Sequence, residues 1–287
     1  MINTPEFKEE LNRIIENAIR EDIGEGDHSS LACIPADAQG KAQLLVKDNG
    51  ILAGTEFAKM VFEKIDPSLV FHPYIKDGEY IRYGDIAFTI EGNSRSILKA
   101  ERIVLNAIQR MSAIATKTRK FVEILQDTNT KILDTRKTTP GIRALEKWAV
   151  KIGGGNNHRF GLYDMIMLKD NHIDFAGGIK QAILKTNKYL KDKGLSLKIE
   201  IETRNLEEVK EVLETGNIDR IMLDNFSYED LEKAVKMING KYETEASGGI
   251  TEKTLLKYAQ CGVDYISSGA LTHSVSNMDF SLKAIKV

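Results

Sequence analysis

The sequence has little of what marks a secreted or membrane protein. It contains two cysteines, Cys33 and Cys261, which lie far apart in the chain and match no metal-binding or redox spacing. A disulfide-stapled fold is therefore excluded, and both residues are expected to be small apolar side chains in a reducing compartment. No stretch approaches the roughly 18 consecutive apolar residues that cross a bilayer, so we expect no membrane-spanning helix.

An excess of charge of one sign is also missing. The 40 Lys and Arg residues are balanced by 42 Asp and Glu residues, which gives a formal net charge of -2 and a pI of about 6.3. A strongly basic composition is typical of nucleic-acid-binding domains, so neither nucleic acid nor a membrane is an expected partner. Residues 1–24 are acidic and amphipathic and lack the cationic start and apolar run of a signal peptide, so we expect a cytoplasmic protein.

Several common catalytic motifs are absent as well. The chain has no GxGxxG, Walker, GxSxG or HExxH sequence, which excludes the usual dinucleotide, NTPase, hydrolase and zinc-protease signatures. The sequence therefore does not require a covalent nucleophile. Its chemistry has to be found in residues that only the fold would bring together.

The length of 287 residues and the apolar content of 42% suit one large domain with a smaller one. The first hundred residues have a mixed α/β pattern. An amphipathic helix opens the chain, a further helix is predicted over residues 56–65, and a long helix with few breakers is predicted over residues 95–126. The Asp48-Asn49-Gly50 turn signal between two short apolar strands predicts a β-hairpin.

From residue 131 onward, short apolar strands alternate with amphipathic helices. This alternation predicts a parallel sheet with right-handed crossovers. Six units of this kind favour an incomplete TIM-like barrel, although a doubly wound open sheet stays an alternative because one sequence does not reveal strand order. The predicted strands are KILDTRK, MIMLKDN, LKIEIET, RIMLDN, YETEASGG and VDYISSGA.

Each of these strands is apolar at first and ends in polar or small residues. In a βα-barrel the carboxyl ends of the strands converge on one face, where the chemistry takes place. A single charged strand end is typical of a solvated loop or a helix cap, but six in series predict an active site at that face. The strand-end residues are Asp134, Thr135, Arg136, Lys137, Lys169, Asp170, Asn171, His172, Glu200, Glu202, Asp224, Asn225, Glu245, Ser247, Gly248, Gly249, Ser267, Ser268 and Gly269.

Five cationic or titratable side chains lie in the first two of these units: Arg136, Lys137, His158, Arg159 and Lys169. The planar guanidinium of arginine suits bidentate recognition of carboxylate or phosphate, and lysine acts as a point charge. Cations that converge on one mouth repel one another unless anions lie among them. The set therefore predicts either a ligand with several negative charges or an internal salt-bridge network, and the residues alone do not separate the two.

Two carboxylates, Glu202 and Asp224, end neighbouring strands. Hard oxygen ligands together with substrate phosphates are the usual protein site for Mg2+, so the pair is a candidate magnesium site. The alternative for Asp224 is a helix cap, because a helix rich in acidic residues follows Asn225.

Glycine-rich segments provide candidate phosphate contacts. Residues 153–161, GGGNNHRFG, combine three successive glycines with polar and cationic residues, which indicates positive φ or a close approach of ligand to backbone. Residues 247–249 and 267–270 are each expected to precede a helix, where exposed amide groups bind anions. Because the loops after the last two strands of a barrel often bind phosphate, we expect a phosphate near Ser247, Gly248, Gly249 and Gly269.

Residues 134–173, DTRKTTPGIRALEKWAVKIGGGNNHRFGLYDMIMLKDNHI, closely resemble the signature region of the quinolinate phosphoribosyltransferase family. The segments EDIGEGDHSS, AERIVLNAIQRMSAIAT, IEIE, IMLDNF, EASGGI and GVDYISSGALTHS fit the same family in the same order, so the resemblance covers nearly the whole chain. It implies an N-terminal α/β sandwich over residues 1–112 and an incomplete TIM-like α/β barrel over residues 113–270. The tail, residues 271–287, is expected to pack on the first domain.

The resemblance also implies an activity. The family transfers the phosphoribosyl group of phosphoribosyl pyrophosphate (PRPP) to quinolinate with decarboxylation. The products are nicotinate mononucleotide, pyrophosphate and carbon dioxide, in de novo NAD biosynthesis. Mg2+ is the implied cofactor, and a homodimer or an assembly of dimers is the implied oligomer.

Roles follow for the residues that match the family's motifs. The cations that would hold the two quinolinate carboxylates are Arg136, His158, Arg159, Lys169 and, reaching in from the partner subunit, Arg102. The catalytic groups that would act on PRPP are Lys137, Glu202 and Asp224. The two carboxylates among them would bind its magnesium, directly or through PRPP. The residues that would bind the PRPP phosphate are Lys137, Ser247, Gly248, Gly249 and Gly269.

Two alternatives stand beside this activity. A group with the same fold is associated with molybdenum transport operons and has no certain substrate, and a barrel without catalysis would act as a sensor of a phosphorylated metabolite. The NNHR and KDNH segments argue against the first, because they supply cations for a dicarboxylate. The presence of Lys137, Glu202 and Asp224 argues against the second. One departure from the family pattern is Arg204, an additional cation close to Glu202.

Overall fold

The computed structural model describes residues 4–285. Within that range, no helix combines the length and the apolar character needed to cross a membrane. The elements are, in chain order, α1 (Pro5–Asp22), α2 (His28–Cys33), β1 (Gln39–Val46), β2 (Gly50–Ile51), α3 (Thr55–Ile65), β3 (Val70–Pro73), β4 (Tyr80–Ile81), β5 (Ile86–Asn93), α4 (Ser94–Ile124), β6 (Lys131–Leu133), α5 (Arg143–Ile152), β7 (Ile166–Leu168), α6 (Asp170–Ala176), α7 (Ile179–Lys193), β8 (Ile199–Thr203), α8 (Leu206–Thr215), β9 (Arg220–Asp224), α9 (Tyr228–Ile238), β10 (Glu243–Ser247), α10 (Leu255–Gln260), β11 (Tyr265–Ser267), α11 (Ala270–His273) and β12 (Phe280–Ile285).

The chain forms two compact units. The described residues of the first are 4–119, 138–154 and 271–285, and those of the second are 120–137 and 155–270. Helix α5 thus belongs to the first unit, although it lies within the range 113–270 that the sequence suggests for the barrel. Two contacts explain this placement. Trp148 packs edge-to-face on Phe7 with ring centroids 5.8 Å apart, and Arg110 Nη2 lies 2.8 Å from Oε1 of the buried Glu146.

The first unit is built on an antiparallel four-stranded sheet. Its strand order is β12-β1-β5-β3, so the C-terminal strand β12 lies beside β1. Strand β1 alternates buried and partly exposed side chains, as expected for a sheet with one face on a core. Phe62 of α3 packs in that core against Phe71 and Phe88, with ring centroids 6.0 and 6.1 Å away. A sheet covered by helices is the predicted N-terminal α/β sandwich.

The predicted hairpin at Asp48-Asn49-Gly50 is wrong. Strand β1 pairs with β5 and β12, whereas β2 pairs with β4. The polar groups of the turn bind other loops: Asn49 Oδ1 accepts a hydrogen bond from Tyr83 N, and Asp48 Oδ2 accepts one from Asp279 N. Pairing with strands distant in the chain therefore outweighs a strong local turn preference.

The second unit contains the six predicted strands as one parallel sheet of order β6-β11-β10-β9-β8-β7. The first strand of the unit lies beside the last, as in a barrel, whereas a doubly wound sheet would reverse its order at a switch point. The barrel is incomplete, as predicted. Between residues 4 and 285 no strand pairing joins β6 to β7, and the outer edge of β6 carries a single bridge from Leu133 to Asn156.

Parallel pairing brings all six carboxyl ends to one edge of this sheet. The register aligns Glu200 with Arg220, and Asp224 with Ser247. Because side chains alternate along a strand, Glu202 lies on the same face as Glu200, and Asp224 on the same face as Arg220. That face therefore has two polar layers: a lower layer within the sheet and an upper layer at the carboxyl ends.

Candidate functional site

The upper layer contains two carboxylates and a lysine. Lys169, just after β7, contacts Glu202 of β8, with 2.6 Å between Nζ and Oε2. Asp224 ends β9 and is half-buried. Burial and the negative charge of Glu202 raise the pKa of Asp224 above its ordinary value, while the positive charge of Lys169 opposes the rise. Two carboxylates that repel each other in this way form a favourable place for a bound cation.

The helix-cap alternative for Asp224 is wrong. Helix α9 begins at Tyr228, and its N-cap is Ser227, whose hydroxyl accepts a hydrogen bond from Asp230 N at 3.2 Å. The Asp224 carboxylate instead accepts a hydrogen bond from Asn225 Nδ2 at 2.6 Å. Asp224 therefore stays at the carboxyl end of β9, where ligands of βα-barrels bind.

The lower layer contains four side chains that we call the buried ion cluster: His158, Glu200, Arg220 and Glu245. His158 Nε2 lies 2.9 Å from Glu200 Oε2 and 3.4 Å from Glu245 Oε2. Arg220 Nη1 lies 3.0 Å from Glu245 Oε2 and 3.8 Å from Glu200 Oε2. Both glutamate side chains are fully buried, and those of His158 and Arg220 are 5% and 11% exposed. Charges so far from water are tolerated because each one has an opposite partner.

The buried ion cluster shares one proton between His158 and Glu200 at neutral pH. Burial disfavours the imidazolium, but the two carboxylates outweigh burial and raise the pKa of His158 to about 9. Burial and the charge of Glu245 raise the pKa of Glu200 to about 7. His158 Nδ1 accepts a hydrogen bond from Arg159 N at 2.7 Å, so Nε2 is the ring nitrogen that faces the two carboxylates. With the proton on either group, the cluster as a whole carries no net charge.

Residues 155–161, which form most of the glycine-rich segment 153–161, are attached to the end of β6. Asp134 N donates a hydrogen bond to Asn156 O at 3.1 Å, next to the single bridge between these two stretches of chain. The fully buried Asp134 carboxylate then accepts hydrogen bonds from His158 N at 2.9 Å and Asn157 Nδ2 at 2.5 Å. The glycines thus lead into a segment that the sheet and a buried carboxylate hold in place.

Arg136, which follows β6, lies close enough to Arg159 for its positive charge to act on that guanidinium. Arg159 is half-buried, and its Nη1 donates a hydrogen bond to Met165 O at 3.1 Å. Burial and the positive charge of Arg136 lower the pKa of Arg159, whereas the charges of Glu200 and Asp164 oppose this. Like charges in such proximity favour an anionic ligand beside them.

Three further predicted site residues lie on separate elements. Lys137 is exposed shortly after β6, and its backbone N–H donates a hydrogen bond to Thr135 Oγ1 at 3.0 Å. Gly269 lies between β11 and α11 in the second unit. Arg102 is exposed on α4 in the first unit. All the predicted site residues except Arg102 therefore belong to the second unit.

After β10 the chain turns sharply at Ser247-Gly248-Gly249. The two glycines have φ of +99° and +59°, and a Cβ on Gly248 would overlap the side chain of Asn225. Ser267 Oγ donates a hydrogen bond to Ser247 Oγ at 3.2 Å, which links the turn to the end of β11. The helix predicted after this turn is α10, which begins at Leu255, with residues 250–254 between the turn and the helix. An anion at this turn would therefore meet turn amides and not a helix terminus.

The departure from the family pattern, Arg204, does not disturb the carboxylate pair. Its Nη2 lies 2.7 Å from Glu208 Oε1 and 3.2 Å from Asp174 Oδ1, and the side chain is exposed. Arg204 is therefore paired at the surface, and the lysine that contacts Glu202 is Lys169.

Sequence reasoning missed Arg220 as a partner of the site. The alternation of side chains along each strand could have indicated that Arg220 shares a face with the site residues. RIMLD places Arg220 and Asp224 on one face, and IEIE places Glu200 and Glu202 on one face. The register that brings Arg220 next to Glu200 joins residues far apart in the chain, so only the folded sheet reveals the pair.

Comparison with known protein families gives two matches. The family described as quinolinate phosphoribosyl transferase, N-terminal domain, matches residues 27–112. The family described as quinolinate phosphoribosyl transferase, C-terminal domain, matches residues 114–283. Together the two matches cover most of the chain.

Individual proteins of similar length agree with these matches. A nicotinate-nucleotide pyrophosphorylase (carboxylating), chloroplastic, of Arabidopsis thaliana is 48% identical over 289 residues, which are 96% of this chain and 82% of the relative. A protein named probable nicotinate-nucleotide pyrophosphorylase (carboxylating) of Bacillus subtilis strain 168 is 42% identical over 273 residues, 95% of this chain and 93% of the relative. The crystal structure of NadC from Streptococcus pyogenes superposes with a TM-score of 0.91 at 40% identity and covers 98% of this chain and 97% of its own.

Proposed function

The chain belongs to the quinolinate phosphoribosyltransferase family, and on that premise we propose that the upper layer of its second unit is the active site. The enzyme transfers the phosphoribosyl group of PRPP to quinolinate with decarboxylation and forms nicotinate mononucleotide in de novo NAD biosynthesis. One observation carries the assignment of the site. Two pairs of like charges lie in one unit: Glu202 and Asp224 at the carboxyl ends of β8 and β9, and Arg136 and Arg159 in the segments linked to the end of β6.

Arg136, Arg159 and Lys169 are proposed to bind the two carboxylates of quinolinate. Burial and the positive charge of Arg136 both lower the pKa of Arg159, and a bound dianion would relieve the repulsion between the two arginines. Guanidinium groups suit this ligand because they bind carboxylates through two parallel hydrogen bonds. Lys169 also contacts Glu202, a residue of the proposed PRPP site.

Glu202 and Asp224 are proposed to bind Mg2+ together with pyrophosphate oxygens of PRPP. The residues fit this ion, because carboxylate oxygens are its preferred protein ligands. Burial and then the negative charge of Glu202 raise the pKa of Asp224, and a divalent cation would relieve the repulsion between the two carboxylates. When bound, the ion supplies positive charge to the leaving pyrophosphate.

The 5′-phosphate of PRPP is proposed to lie at the Ser247-Gly248-Gly249 turn and near Gly269. The positive φ of both turn glycines supports this, since successive amides in such a turn form a concave anion site and glycine lets the backbone approach closely. Lys137, at the end of β6, is proposed to add a point charge for PRPP.

The proposed mechanism depends on orientation and electrostatics. The pyridine nitrogen of quinolinate attacks the anomeric carbon as pyrophosphate leaves, so positive charge develops on the ribose ring. Glu202 and Asp224 are proposed to stabilise that charge. The 2-carboxylate then leaves as carbon dioxide, its electron pair remains on the ring carbon beside the cationic nitrogen, and that carbon takes up a proton. No covalent bond to the enzyme is needed, because holding both substrates in place lowers the barrier.

We also propose a homodimer in which Arg102 of the partner subunit reaches the quinolinate site. The resemblance to the family implies this role. Arg102 is exposed on α4 of the first unit, as a residue that contacts a partner subunit would be. Mixed dimers of Arg102→Ala chains and Arg159→Ala chains would test the proposal. Restored activity on mixing is expected, and its complete absence would reject a site shared between subunits.

A cytoplasmic location is proposed as well. Both cysteines are free thiols, Cys33 exposed and Cys261 buried, as expected for a protein of a reducing compartment. Fractionation of cells that express the full chain would test this, with recovery in the cytosolic fraction expected. Recovery with membranes or inside an organelle would contradict it.

The activity is tested with purified protein, PRPP and Mg2+, with quinolinate in one reaction and nicotinic acid in a parallel one. Nicotinate mononucleotide and carbon dioxide are expected from quinolinate, and no product is expected from nicotinic acid. Lack of product in both reactions would contradict the proposed function. That result would favour the transport-operon relative or a sensor of a phosphorylated metabolite.

A further inference from the structure

Among the cations assigned to the quinolinate carboxylates, His158 is the one whose side chain is buried. Its Nε2 faces the two carboxylates of the buried ion cluster, and its Nδ1 accepts the hydrogen bond from Arg159 N. Its backbone N–H donates to the buried Asp134. Both ring nitrogens are therefore directed at the protein, although the family resemblance assigns this residue to a substrate carboxylate.

We infer that Glu200, Arg220 and Glu245 are positioning residues, which act through His158 to hold Arg159 in place at the quinolinate site. The inference rests on the proposed function, because Arg159 is a substrate-binding residue only there. In this inference, His158 connects the buried ion cluster of the lower layer to the backbone of Arg159.

The orientation of one imidazole ring makes this connection. Arg159 N reaches Nδ1 at 2.7 Å only while the ring plane points Nδ1 at that amide. The Oε2 atoms of Glu200 and Glu245 lie 2.9 and 3.4 Å from Nε2, and their negative charge attracts the protonated Nε2 side of the ring, which favours this orientation. Arg220 in turn holds Glu245 at 3.0 Å. Loss of either negative charge lets the ring turn, and the backbone of segment 155–161 then loses an acceptor at Arg159.

The same side chains have the composition of a metal site, because ligand atoms of His158, Glu200 and Glu245 lie within 4.8 Å of one another. The charge balance favours the ion-pair interpretation. Arg220 neutralises one carboxylate and the shared proton neutralises the other negative charge. An added divalent cation would leave a buried net positive charge, which is costly in the interior.

The chain offers a matched control on the outer side of Arg220. Glu243 Oε2 lies 3.0 Å from Arg220 Nη2, and Glu243 also contacts Tyr265 Oη at 3.1 Å and Lys198 Nζ at 4.0 Å. The Glu243 side chain is 36% exposed, so its ion pair with Arg220 is screened by water. Glu243→Gln therefore changes a partner of Arg220 outside the buried ion cluster and away from His158.

The kinetic test uses Glu200→Gln and Glu245→Gln, which keep the side-chain volume and remove one negative charge that faces His158. We expect each to raise the KM for quinolinate about 10-fold or more, and the KM for PRPP by less than about 2-fold, because only the carboxylate-binding group is displaced. Adding Glu200→Gln to Arg159→Ala should raise the quinolinate KM little further, because both changes remove the same contact.

Amide hydrogen exchange over residues 155–161 measures the positioning without turnover. We expect faster exchange in Glu200→Gln and in Glu245→Gln than in the unmodified chain, because the amide of Arg159 loses its acceptor. Exchange and both KM values should stay unchanged in Glu243→Gln.

Each outcome of this experiment decides the inference. An unchanged quinolinate KM with unchanged exchange in the two Gln variants would overturn it, as would full additivity with Arg159→Ala. A loss of thermal stability as the sole effect would show that the buried ion cluster only stabilises the fold. If one variant does not fold, the other decides. If the unmodified chain makes no product, the proposed function fails, while the exchange rates still decide whether the cluster holds segment 155–161.

Discussion

The two polar layers of the parallel sheet differ in how their charged side chains are arranged. In the lower layer, the buried ion cluster places each carboxylate beside a cation and carries no net charge. In the upper layer, the like charges of Glu202 and Asp224 lie near each other, and the segments linked to the end of β6 contain a second such pair, Arg136 and Arg159. A charged ligand gains little from a network whose charges already neutralise one another. It stabilises like charges that repel each other, because it places an opposite charge beside them. Adjacent like charges at strand ends therefore distinguish a binding site from an equally polar structural network.

The largest expected effect comes from removing a charge of the upper layer. Asp224→Asn should lower kcat about 100- to 1000-fold, because it removes a carboxylate that is proposed to stabilise the developing charge. The same change should raise Tm slightly, because it ends the repulsion from Glu202 that raises the pKa of Asp224. Activity at saturating substrates and thermal unfolding measure the two effects.

Asp230→Asn on α9 is the control for Asp224→Asn, since it makes the same substitution at an exposed surface pair with Lys233 and should leave kcat unchanged. A fall in Tm together with kcat for Asp224→Asn would contradict the comparison of the two layers. It would mean that Asp224 acts as a structural charge like those of the lower layer.

A second substitution separates the two like-charged pairs. Arg159→Ala should raise the KM for quinolinate about 10- to 100-fold, the effect of a lost charged hydrogen bond to a carboxylate. The KM for PRPP should change far less, because PRPP is proposed to bind at the carboxylate pair. Arg204→Ala, an exposed arginine paired with Glu208 and Asp174, is the control and should change neither. Equal losses for both substrates would reject the assignment of Arg159 to quinolinate.

The smallest expected effect is a pH dependence of stability that belongs to the lower layer. The pKa values of His158 and Glu200 are raised from 6.5 and 4.5 to about 9 and about 7, so the folded chain keeps a proton that the unfolded chain has released. The unfolded state then binds fewer protons, and the free energy of unfolding should fall as pH rises from 7 to 9. The slope is at most about 1.4 kcal/mol per pH unit.

Urea unfolding at several pH values measures this slope. In Glu200→Gln, the buried ion cluster is neutral without the shared proton, so the decline between pH 7 and 9 should become shallower. An identical slope in that variant would show that the shared proton lies elsewhere.

The parallel sheet was predictable because its signal is local. In RIMLD and IEIET, apolar residues recur within the strand and an acidic residue stands at its last or next-to-last position, and six short runs of this kind separated by helices leave few architectures. The same local pattern placed Glu202 and Asp224 at the carboxyl ends, where β8 and β9 now have them. Their roles in catalysis stay a proposal.

What could not be predicted depends on contacts between distant parts of the chain. The Asp48-Asn49-Gly50 turn signal predicted a hairpin, but its side chains bind loops that begin more than thirty residues later. The burial of His158 between Glu200 and Glu245 follows from strand register, which no local pattern contains. Sequence reasoning therefore grouped His158 with the exposed cations, although the ring lies in the lower layer.

Quinolinate that carries an isotopic label in its 2-carboxylate tests the central claim, that the upper layer couples phosphoribosyl transfer to decarboxylation. Labelled carbon dioxide and pyrophosphate should appear in equal amounts, and only when PRPP and Mg2+ are both present. Labelled carbon dioxide without pyrophosphate, or neither product in the complete mixture, would contradict the claim.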